Sequence, residues 1–192
     1  MVLVLVKGND MARWAEFEKN IEAGFEAYSK AGVAELAMMP VPTAPAPRSM
    51  VNGPMPLRLL SGTAPFDVYG FSLGCMKSLG VGTMIGAEIK STTHKETSID
   101  ISKGGVRPHQ LESLAKLAKA NGVAKIIWEN GGEIGVLHED QIVAAWEGYA
   151  HVLQMEEAGR KAPPGFKSIK WERFEIVDWG TIGGLPAILW LR

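Results

Sequence analysis

The sequence predicts one mixed α/β domain, on three observations. It has 192 residues, the length of a single ordinary domain. Hydrophobic residues make up 46% and charged residues 21%, a globular balance that excludes a disordered chain. Apolar residues recur at helical spacing in some stretches and in short strand-like runs in others. The order is helix, strands, helix, strands, helix, with no internal repeat.

The elements follow in order. Met1 to Val6 is apolar, short and closed by Lys7. It has no basic flank and no small-residue cleavage site, so it reads as a strand rather than a leader. Asn9-Asp10 suit a helix cap. Trp14, Phe17, Ile21, Phe25 and Tyr28 then mark one helical face, which Gly32 ends. Val33 to Met38 reads as a short strand. Pro40, Pro42, Pro45, Pro47, Pro54 and Pro56 exclude a helix or central strand, so a stiff protruding arm is expected over about 40–60. Phe66 to Phe71 and Met84 to Lys90 read as strands, joined by a Gly-rich stretch through Gly74, Gly80 and Gly82. Pro108 opens a second helix, with Leu111, Leu114, Leu117 and Ala118 on one face and Asn121-Gly122 as its stop. Lys125 to Trp128 and Ile134 to Leu137 predict a hairpin across Asn130-Gly131-Gly132. Asp140 is expected to cap a third helix running through Trp146 to Met155. Ala162-Pro163-Pro164-Gly165 breaks the chain, and two short strands follow around Ile169 to Val177 and Ala187 to Leu191.

Composition narrows the functional classes. No window approaches about 18 uninterrupted apolar residues, so no membrane span is expected. The single cysteine, Cys75, excludes an internal disulfide and a Cys-based zinc site, so a cytoplasmic protein is expected. His94, His109, His138 and His151 share no zinc spacing. The net charge of −1 hides an uneven pattern. Between Leu36 and Lys95 the only acids are Asp67 and Glu88, among Arg48, Arg58, Lys77, Lys90 and Lys95; Lys103 and Arg107 follow. The acidic surplus sits in the first helix and after Glu129. Two isolated carboxylates in a basic setting suit a polyanion held beside a metal ion.

Side chains alternate along a strand, so Glu88 and Lys90 point to one face. Asp67, from a neighbouring strand, supplies a second carboxylate. Two carboxylates with phosphate oxygens suit Mg²⁺, a hard ion that prefers oxygen. Such an ion lowers the pKa of a bound water, which Lys90 would orient or deprotonate unless it neutralises the transition state.

Asp67 followed by Glu88-Ile89-Lys90 resembles the PD-(D/E)XK nuclease superfamily. Glu88-Ile89-Lys90-Ser91-Thr92-Thr93, then Lys95-Glu96-Thr97-Ser98-Ile99 and His109-Gln110-Leu111-Glu112, is similar to the RecU-type Holliday-junction resolvases. So is Phe17-Glu18 with Ile21, Tyr28 and Gly32-Val33-Ala34 running into Pro40-Val41-Pro42-Thr43. Ser61-Gly62-Thr63 ahead of Asp67 is similar to the archaeal Hjc resolvases. The likeness spans roughly residues 14 to 137.

The resemblance implies a restriction-endonuclease-like fold, with a central mixed sheet flanked by helices, in one nuclease domain over 1–192 whose extension begins near 140. It implies a homodimer that nicks four-way DNA junctions with Mg²⁺, or Mn²⁺ in its place. It makes Asp67, Glu88 and Lys90 catalytic, with a helix glutamate assisting the metal: Glu18, or Glu22 one turn on. Gln110 matches the position that holds the attacking water or a phosphate. Arg48, Arg58, Ser61, Lys95, Lys103 and Arg107 are the candidate DNA contacts. Two alternatives stay open: a related nuclease for forks, flaps or ends, and a junction-binding protein without catalysis.

Overall fold

The structure is a computed structural model that describes residues 3–39, 43–45, 57–59, 64–74, 80–102, 104–182 and 185–191. Its centre is a six-stranded mixed sheet in the order β1-β4-β5-β7-β8-β10. These strands are β1 (Ala34–Met38), β4 (Val68–Ser72), β5 (Met84–Thr92), β7 (Val123–Asn130), β8 (Glu133–Leu137) and β10 (Glu175–Val177). The β5–β7 pair is parallel, with Glu88 opposite Ile126 and Lys90 opposite Trp128, and the other neighbours are antiparallel. A parallel pair needs a long crossover, and here it runs through β6 (Ser98–Asp100) and α2 (Pro108–Lys119).

Alternation along β5 sorts its side chains to two cores. Ile85, Ala87 and Ile89 join Phe17, Ile21, Phe25 and Tyr28 of α1 (Leu3–Lys30) on one face. On the other face, Ile126 and Trp128 of β7 pack with Leu111 and Leu114 of α2 and Ile142 of α3 (Glu139–Glu157). The predicted spacing of α1 therefore names its buried face. Asn121, at a φ of 61°, turns the chain out of α2 as its Asn-Gly pair predicts.

Three expectations shift. Met1 to Val6 was expected as a strand, yet α1 starts at Leu3 and runs through Asn9-Asp10 without a break. Val and Leu lose only a few tenths of a kcal/mol per residue in a helix, too little to resist extension from a formed one. His138, not Asp140, precedes the first turn of α3, and Asp140 lies inside that turn with Glu139, where acids favour the helix dipole. The stretch around Ile169 to Val177 is not one strand. β9 (Ser168–Lys170) pairs with β6, a 3-10 turn occupies Trp171–Arg173, and β10 then extends the main sheet. A hairpin of β11 (Trp179–Ile182) and β12 (Leu185–Ile188) follows.

The last 50 residues are thus built into both cores. Tyr28, fully buried on α1, donates its hydroxyl to the Ile188 carbonyl at 2.7 Å. The same oxygen accepts from the Trp190 and Leu191 N–H groups at 3.2 and 3.3 Å. Of the expected arm, β2 (Thr43–Pro45) and β3 (Leu57–Leu59) pair antiparallel, with Thr43 opposite Leu59. Its remaining residues, and with them Arg48, lie outside the described residues, as do Ser61, Cys75 and Lys103. Among the described residues no helix is long and apolar enough to cross a membrane.

The Tyr28 hydroxyl serves three backbone groups that have no water to turn to. Tyr28→Phe should lower the unfolding free energy by about 1–3 kcal/mol, read by urea denaturation. An unchanged midpoint would show that the C-terminal segment is held by packing alone.

Candidate active site

The site forms where β4 parts from β5. Their register runs from Phe71 opposite Met84 to Val68 opposite Ala87. One residue before β4, the Asp67 N–H still donates to the Ala87 carbonyl at 3.0 Å, and the Asp67 carbonyl accepts from Met39 N–H at 2.7 Å. The next amide of β5, Ile89 N–H, donates at 2.9 Å to the carboxylate oxygen Oδ2 of Asp67. A side chain has taken the place of a backbone acceptor. Asp67 is therefore fixed through its N–H, its carbonyl and its carboxylate at the point of divergence.

Glu88 lies between these bonds and is fully buried. Lys90, two residues on and on the same face, is 21% exposed and brings Nζ to 2.5 Å from Glu88 Oε1. Apart from this ion pair, neither oxygen of Glu88 has a hydrogen-bond partner among the described residues. A buried carboxylate in that state is costly when charged. Burial accordingly pushes the Glu88 carboxyl up to about 8; the Lys90 ammonium opposes the rise and the Asp67 charge adds to it. Glu18, half-buried on α1, is pushed up to about 7 by burial first, then by the charges of Asp67 and Glu22, with Lys90 opposing. Two carboxyls of raised proton affinity thus flank Asp67. Glu22 itself is exposed.

Asp67, Glu88, Lys90 and Glu18 therefore come together as one electrostatic unit. Among the described residues no three acid, histidine or cysteine side chains converge closely enough to hold a metal ion as they stand. The donor set still fits a hard cation. Its donors are carboxylate oxygens, and those of Glu88 are buried with Lys90 as their one partner among the described residues.

The other expected residues are distributed more widely. Gln110 is buried, and its Oε1 accepts from the Arg107 N–H at 3.2 Å, tying it to the start of α2. Only its amide nitrogen remains for a water or phosphate. The Lys95 ammonium is paired with Glu133 of β8 at 2.8 Å, both exposed. Arg107 is exposed at the start of α2, and Arg58 lies in β3.

Sequence reasoning missed a polar network at the far end of β5. Thr92 Oγ accepts from Trp128 Nε1 at 3.1 Å and lies 3.2 Å from Asn130 Oδ1. The buried Asn130 amide also grips both the N–H and the carbonyl of Glu96, at 2.7 and 2.8 Å. This fixes the loop that carries Lys95. The signal was Asn130 itself, since an Asn ahead of Gly-Gly reads first as a turn residue. A second miss is Lys125, buried on β7, whose Nζ reaches His138 Nδ1 at 2.7 Å and Glu139 Oε2 at 2.9 Å. It ties the sheet to the start of α3.

Without divalent ions, folded Glu88 holds its proton near pH 8 against an ordinary 4.5. The stability linked to that proton is fully present below pH 4.5 and is lost as pH rises through about 8. In EDTA the melting temperature should fall by on the order of 5 °C between about pH 5.5 and 8.5. Glu88→Gln should flatten the slope. Equal slopes in both proteins would show that Glu88 is already ionised.

No protein-family model matches the chain, and no curated protein is similar to it.

Proposed function

We propose that this protein is a divalent-metal-dependent DNA endonuclease that acts on four-way junctions. The observation that carries the reading is the buried Glu88 carboxylate, paired with Lys90 alone and set beside the clamped Asp67. Lys90 offsets only part of the cost of burying this acid, since burial still raises its proton affinity, and a second cation would offset more. Asp67 and Glu88, with Glu18 alongside, would hold Mg²⁺ or Mn²⁺. When bound, such an ion activates a water and offsets charge on the phosphate.

The chain's own residues do the rest. Asp67 is pre-positioned by the sheet and needs no reorganisation. Glu18 and Glu88 would have to be deprotonated to hold a cation, so metal affinity would rise with pH. Lys90, partly exposed beside Glu88, would neutralise charge on a phosphoryl oxygen. The sequence likeness to RecU-type resolvases supports the junction as substrate, and a homodimer would set two such sites against two symmetry-related strands.

Cleavage of a synthetic four-way junction and a matched duplex, each with Mg²⁺ and with EDTA, tests this directly. Paired nicks on the junction alone, and only with Mg²⁺, are expected. Glu88→Ala and Lys90→Ala should each lower the rate at least about 100-fold while junction binding persists. Full cleavage by both variants would sink the assignment. Cleavage confined to free ends would favour an end-processing nuclease, and tight binding without cleavage a junction-binding protein.

Deleting Pro42 to Pro56 should weaken junction binding more than duplex binding in a mobility-shift titration. Equal loss on both would mean that the segment does not read the junction.

A further inference from the structure

The nuclease reading leaves the segment that follows α3 without a role. α3 ends on a left-handed glycine, Gly159, at a φ of 68°. The Gly159 N–H donates to the Glu156 carbonyl at 2.9 Å, and the Arg160 N–H to the Met155 carbonyl at 2.8 Å. These two bonds close the last turn and aim the chain away from the helix. Pro163 and Pro164, with φ fixed by their rings, lead to a second left-handed glycine, Gly165, at 96°. Two residues on, the Lys167 carbonyl accepts from the Ile101 N–H at 2.8 Å, and β9 pairs with β6. The loop is therefore anchored at both ends.

It surrounds a cavity of about 380 Å³ that has Arg160, Lys161 and Lys167 in its wall. Glu156 is the one acid there among the described residues, and Lys167 pairs with it at 2.6 Å. Arg160 and Lys161 are exposed, and neither makes an ion pair among the described residues.

We propose, resting on the nuclease reading, that this cavity holds phosphate groups of the DNA backbone and extends the substrate contact beyond the active site.

Three observations favour it. The first is charge. Lys167 already neutralises Glu156, so two unpaired cations remain to draw in an anion, and a guanidinium fork matches phosphate oxygens at two points. The second is place. Ile101, which bonds Lys167, is bridged to Val106, and Arg107 follows, exposed at the start of α2. The cavity thus continues a surface that already carries a candidate DNA contact, although the two lie far apart in the sequence. The third is rigidity. A loop fixed by its glycine cap, two prolines and the β6–β9 pair loses little freedom when it meets a phosphate. Cations beyond a helix C-terminus also favour the helix dipole, but that effect is read as stability and not as DNA affinity.

Fluorescence anisotropy of the full chain with a labelled four-way junction and a matched duplex, in EDTA across a salt series, tests the assignment. The double variant Arg160→Gln, Lys161→Gln should bind both DNAs about tenfold more weakly near 0.1 M salt. Its plot of log affinity against log salt should be shallower by about 1 to 2. Lys30→Gln, which removes an exposed cation on α1, should leave affinity and slope unchanged. Unchanged affinity and slope in the double variant would overturn the proposal, and a lower melting temperature beside them would confine the two cations to the helix end. An equal loss in Lys30→Gln would overturn it too, since net charge alone would then account for the effect. Either result leaves the nuclease reading standing if the wild-type chain binds and cuts junctions, whereas a wild-type chain that binds no DNA overturns both. Inorganic phosphate separates the remaining source. If it saturably shifts the wild-type Arg160 amide resonance while the double variant binds DNA normally, the cavity serves a free phosphate and the DNA assignment is overturned.

Discussion

The bond from the Ile89 N–H to the Asp67 carboxylate holds the candidate site together, because it is made where a sheet would ordinarily continue. Had β4 carried on beside β5, a backbone carbonyl would have met Ile89 and the ladder would have covered Glu88 from that side. Instead the strands separate after Val68 opposite Ala87, and a side chain bridges the gap. This satisfies a buried donor, orients a carboxylate and opens the sheet at once. It also adds to the proton affinity of the cluster, which burial raises first. A charge fixed in the sheet plane cannot move away, so its field falls on Glu88 and Glu18 alike.

Much of the fold was legible because its elements carry strong periods. The buried faces of α1 and α2, the β7–β8 hairpin and the stop at Asn121 all follow from spacing and turn chemistry, which act within a few residues. What was not legible depends on contacts far apart in the chain. The strand expected at Met1 to Val6 is helical from Leu3, because local preference for strand is weak beside the cooperativity of a helix already formed downstream. Ile169 to Val177 carries no internal sign that its two ends belong to different sheets. That division is imposed by β6 on one side and β8 on the other.

The candidate site divides in the same way. Asp67, Glu88 and Lys90 stood out as isolated charges beside apolar strands, and period-two alternation already put the last two on one face. The meeting of Glu18 with Asp67 was legible only through a family likeness, since the α1 spacing places Glu18 beside the buried stripe without saying which strand it approaches. Gln110 shows the limit of such transfer. Its carbonyl closes the first turn of α2 by bonding Arg107, a role that any Gln three residues into a helix can fill. Asn130 was hidden for a related reason. The same residue type that favours a turn also has the paired donor and acceptor needed to hold the loop after β5, and one letter cannot separate the two.

The distribution of charge ties these parts into one arrangement. Acids are scarce from Leu36 to Lys95, where the paired carboxylates and Lys90 sit, and concentrate on α1 and beyond Glu129. Because α1 lies across the sheet, it contributes to both regions. Glu18 is turned toward Asp67 and Lys90, while Glu16 and Asn20, on another side of the same helix, face the hairpin and Trp179. One helix thus carries both a carboxylate within the field of Asp67 and Lys90 and polar residues that lie away from it.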